Sequence, residues 1–137
     1  MKTIKMTKNE AAELFNGLIT VKDLKSKEFA LKASKNMTAI REALKDVEEL
    51  GRPSEEFMKL STKVQEILSK DPENGREEID KLEKENKELV EQRKTQLDLV
   101  QEKLKEEIEI ELNFFSESIL PEEVTADQIN KLIKIIE

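Results

Sequence analysis

The chain has to double back near its middle. Asp71-Pro72-Glu73-Asn74-Gly75 sets a proline, which fixes one backbone angle, beside an Asn-Gly pair that tolerates positive ones. On both sides of this turn the apolar residues keep helical spacing. Before it, Phe29, Ala33, Met37, Ile40, Leu44 and Val47 step by 4, 4, 3, 4 and 3 residues from a start near Ser26, which is the spacing of a seam. Leu50-Gly51-Arg52-Pro53 interrupts that arm, because glycine suits a left-handed helix end and proline disfavours helix in the residue before it. A kink and a full break are both open there. Ser54 then caps a further helix through Phe57, Leu60, Val64, Ile67 and Leu68. After the turn, Ile79, Leu82, Leu89, Val100 and Leu104 keep the longest stripe of the chain, with Asn86, Arg93 and Gln96 at its other positions and Val90 and Leu97 on one flank. Each arm is about 45 Å long at 1.5 Å per residue, so the spacing predicts an antiparallel helical hairpin over residues 26–107.

The two ends carry different patterns. Lys2 to Met6 alternates polar and apolar residues and reads as a short strand. Thr7 and Glu10 form a capping box that starts a helix from Lys8 to Leu18, with Ala11, Leu14, Phe15 and Leu18 on one stripe and Gly17 weakening it. At Ile108-Glu109-Ile110-Glu111-Leu112-Asn113-Phe114 the period drops to two, which gives a strand that would pair with residues 2–6; the competing reading runs the helix on to Asn113. A second capping box, Thr125 with Gln128, opens a last helix bearing Ile129, Leu132, Ile133 and Ile136, with Val124 and Ile129 spaced as a hydrophobic staple.

Composition narrows the chemistry. Of 137 residues, 40% are charged and 36% apolar, with 24 Lys and Arg against 31 Asp and Glu, a net charge of -7. The core must be thin. Residues 1–45 hold ten basic against five acidic residues, so the remainder is strongly acidic. With no His and no Cys, imidazole acid-base chemistry, thiol nucleophiles, disulfides and His- or Cys-ligated metals are removed together. The longest apolar run, Phe29-Ala30-Leu31, is far short of the roughly twenty residues of a membrane span, and the chain reads as soluble and without a secretory signal.

Two charged clusters remain. Glu102, Glu106, Glu107, Glu109 and Glu111 form the one acid-rich stretch, and Glu88 with Glu91 gives the Glu-x-x-Glu spacing that an all-helical, magnesium-dependent nucleotide hydrolase places on one helix. No second pair stands out from the general excess of Glu. Lys22, Lys25, Lys27, Lys32, Lys35 and Arg41 could meet phosphates. Without Trp, Tyr or the punctuation of a helix-turn-helix, nucleic acid is the weaker reading. Asn86 and Arg93 on the seam either fix register or mark where the seam drifts to Val90 and Leu97.

Read end to end, Met6-Thr7-Lys8-Asn9-Glu10-Ala11-Ala12-Glu13-Leu14-Phe15, Phe29-Ala30-Leu31-Lys32-Ala33-Ser34-Lys35-Asn36, Glu109-Ile110-Glu111-Leu112 and Leu120-Pro121-Glu122-Glu123-Val124-Thr125-Ala126-Asp127-Gln128 resemble a group of small, mostly helical bacteriophage proteins of unknown function. The resemblance covers both ends and leaves the hairpin unmatched. It implies a phage protein working inside a bacterium and brings no catalytic residue with it.

The expected architecture is therefore mainly α: one domain in which a base of short helices and a two-stranded β ribbon, residues 1–25 and 108–137, carries a long antiparallel hairpin over 26–107. In the base, Leu14, Phe15, Leu18, Phe29, Leu112, Phe114, Ile129, Leu132 and Ile133 are expected to converge. The expected function is non-enzymatic: stoichiometric association with a host or phage protein, as an inhibitor or assembly chaperone in the cytoplasm of the bacterial host. No catalytic, cofactor or metal residue is assigned. The candidate contact residues are Leu60, Val64, Asn86, Leu89, Val90, Arg93 and Leu97, because the hairpin between Leu60 and Leu89 offers few apolar side chains per turn and invites a partner helix. Self-association through the hairpin is compatible with this, membrane binding is not expected, and the magnesium hydrolase is the alternative.

Overall fold

The computed structural model describes residues 1–137 as a mainly helical chain with one small antiparallel sheet. In order, β1 (Lys2–Thr7), α1 (Lys8–Thr20), α2 (Lys27–Ala43), α3 (Lys45–Leu50), α4 (Glu55–Lys70), α5 (Gly75–Glu85), α6 (Lys87–Leu104) and β2 (Glu107–Leu112) are followed by α7 (Ala126–Lys131). Short 3-10 turns at Glu117–Ile119 and Ile133–Ile135 flank that last helix. The chain divides into two compact units, Met1–Val47 with Glu102–Glu137, and Glu48–Gln101.

In the first unit, β1 and β2 pair antiparallel, as the alternation at 108–114 predicts. Ile4 faces Ile110 and Met6 faces Ile108, while Thr3 faces Glu111 and Lys5 faces Glu109. The period of two thus sends one set of side chains to the core and the other to water. Thr7 closes the strand and opens α1: its hydroxyl accepts from the Glu10 amide at 3.1 Å, and the Glu10 carboxylate accepts from the Thr7 amide at 3.2 Å. The stripe Ala11, Leu14 and Leu18 then covers the sheet together with Phe29, Ala33 and Ile40 of α2.

Residues 26–47, expected in the hairpin, therefore belong with the base. The cause is α2 itself: it packs on both β2 and α1, and its seam residues Phe29, Ala33 and Ile40 are buried. Asn36 is buried among them. Its carboxamide donates to the Asn113 carbonyl at 2.8 Å and accepts from the Asn113 amide at 2.7 Å, so it serves the backbone just where β2 ends.

Two other expectations shift by a residue or two. Phe115 rather than Phe114 is buried, and its ring lies 4.7 Å from that of Phe29. Ile135 rather than Ile133 is buried, Ile133 being 57% exposed. Phe15, Phe114 and Ile129 are half-buried at the edge of the core. Gly17, an apparent weakness in α1, is a point of close approach: a Cβ there would sit 3.1 Å from the Lys131 Cβ, so the bare backbone lets α7 approach.

In the second unit, α4 and α5 pack side by side across the turn at 71–74. Ser54 caps α4 by accepting from the Phe57 amide at 3.2 Å. No residue, glycine included, has a positive φ, so Gly51 does not take the left-handed conformation that suits a helix end, and Gly75 makes no use of the positive angles open to it. Gly75 is needed for room instead: a Cβ would lie 2.9 Å from Ile67 Cγ2.

Candidate protein-binding surfaces

The seven contact residues named from the sequence meet different fates, because the second unit uses most of them itself. Gly51 and Pro53 make a true break between α3 and α4, which leaves the carbonyls of Leu50, Gly51 and Arg52 without helical partners. Side chains from α6 satisfy them. Gln96 Nε2 donates to the carbonyls of Leu50 and Arg52, both at 2.7 Å, and an Arg93 guanidinium nitrogen donates to the Gly51 carbonyl at 2.7 Å. The same nitrogen reaches Gln96 Oε1 at 2.8 Å, and the Arg93 guanidinium lies 5.5 Å from the centre of the Phe57 ring. The polar seam positions are thus caps in trans for a broken helix. Asn86 does a related job at the joint between α5 and α6, where its side chain donates to the Leu82 carbonyl at 2.9 Å.

Leu60 is buried, and Val64, Leu89 and Val90 are half-buried. Leu97, 45% exposed, is the one of the seven whose side chain lies largely free. Asn86, Arg93 and Leu60 are each engaged within the chain, the first two by hydrogen bonds and Leu60 by burial. Truncating Gln96→Ala should cost about 1 kcal/mol, the net worth of a neutral hydrogen bond, because water can reach the partly exposed break. Amide exchange at the end of α3, compared with that of α4, would register the loss.

Sequence reasoning missed a division of α4 into sectors. At 100° per residue its six charged residues, Glu55, Glu56, Lys59, Lys63, Glu66 and Lys70, fall in one arc of about 100°. Phe57, Leu60, Val64 and Ile67 occupy the seam. The remaining third holds Met58, Ser61, Thr62, Gln65, Leu68 and Ser69, all exposed and all uncharged. The signal was present in the spacing of the charges, which the search for apolar periodicity passes over.

The first unit has a groove of about 460 Å³ between α1 and the C-terminal segment, floored by Leu14 and Gly17 and flanked by Glu13, Lys131 and Ile133. Its cations are already paired: Lys134 with Glu10, and Lys131 with Asp127 at 3.3 Å. The acid-rich stretch does not gather into a site. Glu88 and Glu91 lie exposed on α6, while Glu107, Glu109 and Glu111 share the wet face of β2, where Glu107 pairs with Lys5 at 3.0 Å. No three carboxylates come close enough to hold a metal ion. In the basic cluster, Lys32 reaches the Phe114 carbonyl at 3.4 Å and Arg41 lies over the Phe15 ring; the other four side chains are exposed.

The fold and its surfaces define a mainly helical chain with a two-stranded antiparallel sheet and exposed helix faces. No helix is long and apolar enough to cross a membrane. No family model, curated protein or solved structure matches the chain.

Proposed function

We propose that this protein acts by stoichiometric, non-covalent association with another protein, through the helices of its second unit, and catalyses no reaction. The observation that carries the reading is the state of the seam. In that unit Leu60 alone among the large apolar side chains is buried, whereas Phe57, Val64, Ile67, Ile79, Leu82, Leu89 and Val90 are half-buried and Leu97 is exposed. Two helices cannot enclose a seam from all sides, so apolar area stays available to a third element. The same unit carries fifteen acidic against ten basic residues, which favours a partner with a basic rim. The resemblance to small phage proteins supports a phage origin and action in the bacterial cytoplasm on a host or phage protein, as an inhibitor or an assembly chaperone.

Nothing in the geometry favours the magnesium hydrolase, since Glu88 and Glu91 share α6 but no three carboxylates come close enough to hold the metal ion. Affinity capture from the expressing bacterium should recover one protein in stoichiometric amount with the wild-type chain, and several-fold less with Leu97→Glu, whose side chain is too exposed to disturb folding. Recovery of no partner would overturn the reading. So would nucleotide turnover with magnesium that disappears in Glu88→Gln.

A further inference from the structure

The uncharged sector of α4 points to its own occupant. In a chain in which 40% of residues are charged, six neighbouring exposed positions of one helix carry no charge. Helix faces that meet only water in such a protein are ordinarily filled with Lys and Glu, as the opposite sector of α4 is. Two of the six, Met58 and Leu68, are large apolar residues at 55% and 40% exposure. This sector is built to be covered.

We infer that a second copy of this chain covers it, α4 against α4 in antiparallel orientation about a twofold axis. The first reason is electrostatic. The second unit has a surplus of five acidic residues, a net charge that opposes the approach of two copies, and the uncharged sector is where α4 can meet its equivalent without adding to that repulsion. The second reason is register. Met58, Ser61, Gln65 and Leu68 step by 3, 4 and 3 residues, the spacing of a two-helix seam. They are also symmetric about position 63. An antiparallel twofold pairing therefore sets Met58 against Leu68 of the other copy, and Ser61 against Gln65, apolar on apolar and hydroxyl on carboxamide. One helix about 24 Å long buries less than the roughly 800 Å² per side of a standard interface, so the dimer is weak and reversible, forming at concentrations on the order of 100 µM and above. The inference stands independently of the partner reading above, which concerns the seam rather than this sector.

Sedimentation equilibrium of the full chain, from about 10 µM to 1 mM, should show the average mass rising from 15.9 kDa toward twice that value. Met58→Glu with Leu68→Glu should hold it at the monomer mass with unchanged circular dichroism. Orientation is read by cross-linking, since the wild-type chain has no cysteine. Met58→Cys and Leu68→Cys chains, mixed and oxidised at high concentration, should form the mixed disulfide several-fold in excess of either self-disulfide. In the antiparallel pair, residue 58 lies about 15 Å along the helix from its own equivalent, too far for a bond that needs Cα atoms within about 7 Å. A strict monomer at 1 mM, a dimer insensitive to the double Glu variant, or self-disulfides in excess would each overturn the inference.

Discussion

Phe115→Ala should destabilise the protein by about 3–5 kcal/mol, the usual cost of emptying a buried aromatic site. Phe115 has no exposed surface, its ring packs 4.7 Å from Phe29, and the two are the largest fully buried side chains of the chain. The core around them is small, so little neighbouring mass can move into the space. The residue's backbone is tied as well: the Phe115 amide donates to the Ile135 carbonyl and the Phe115 carbonyl accepts from the Glu137 amide, both at 2.8 Å. Loosening the side chain therefore loosens the docking of the C-terminal segment. Against a total stability of about 5–15 kcal/mol for a domain, such a loss would shift the urea midpoint strongly and leave a visibly unfolded fraction at 25 °C. The control is next door. Phe114 is half-buried, with Lys2 Nζ 4.9 Å from its ring centre, and Phe114→Ala should cost about 1 kcal/mol, in line with the smaller area it hides. A larger effect at 114 than at 115 would show the core to have the opposite phase.

That phase is where reading the sequence succeeds and then slips. Alternation from Ile108 to Leu112 reveals the strand, its pairing with residues 2–6 and its inward side chains, because the period of two is local physics. Carried two residues further, it puts Phe114 inside. The ladder, however, ends at Leu112; Asn113 turns its backbone to Asn36, and the isolated bridge from Phe115 to Ile136 restarts the alternation one residue later. The C-terminal helix slips in the same way. Spacing of 3.6 selects Ile129 and Ile133, but the last turn is 3-10, with three residues per turn, so Leu132 and Ile135 fall together and Ile133 is turned out.

Caps and breaks at Thr7, Ser54 and Thr125 were legible because the donor and acceptor lie three residues apart. The roles of Arg93 and Gln96 were not. Their acceptors are more than forty residues away, and a polar residue on a seam looks the same whether it fixes a register or caps a broken helix. The extent of the hairpin is illegible for a related reason: a seam of 4-4-3-4-3 spacing does not say whether helix or sheet will cover it, and α2 packs on β2 as well as on α1.

Lys8 supplies the second large effect, and its sign separates a buried cation from its anions. The Lys8 side chain is 8% exposed, and its ammonium donates to Asp46 at 2.7 Å and to Glu106 at 3.0 Å, partners 38 and 98 residues distant. These hydrogen bonds, that to Asp46 foremost, hold the Lys8 pKa above its ordinary value against the opposing effect of burial, and the same bond to Lys8 holds the Asp46 carboxyl below its own. The two carboxylates are 45% and 51% exposed. Lys8→Met therefore leaves anions that water can solvate, and should cost no more than about 1 kcal/mol. Asp46→Asn with Glu106→Gln leaves an ammonium ion that water barely reaches, and should cost about 2–3 kcal/mol, reduced from the full penalty of a broken buried pair by the exposure on the carboxylate side. The order is the test: equal losses, or a larger loss for Lys8→Met, would refute it. The pH dependence follows from the directions of the shifts. A lowered Asp46 stabilises the fold above the unfolded aspartate value and ceases to do so as pH falls through the folded value, so the gap between wild type and the double variant should be constant near neutrality and narrow below about pH 4. A raised Lys8 stabilises at every pH below the unfolded lysine value and releases that stability only as pH rises through the folded one, above about pH 10. Urea midpoints at pH 3, 7 and 9 should accordingly show a wide gap at 7 and 9 and a smaller one at 3.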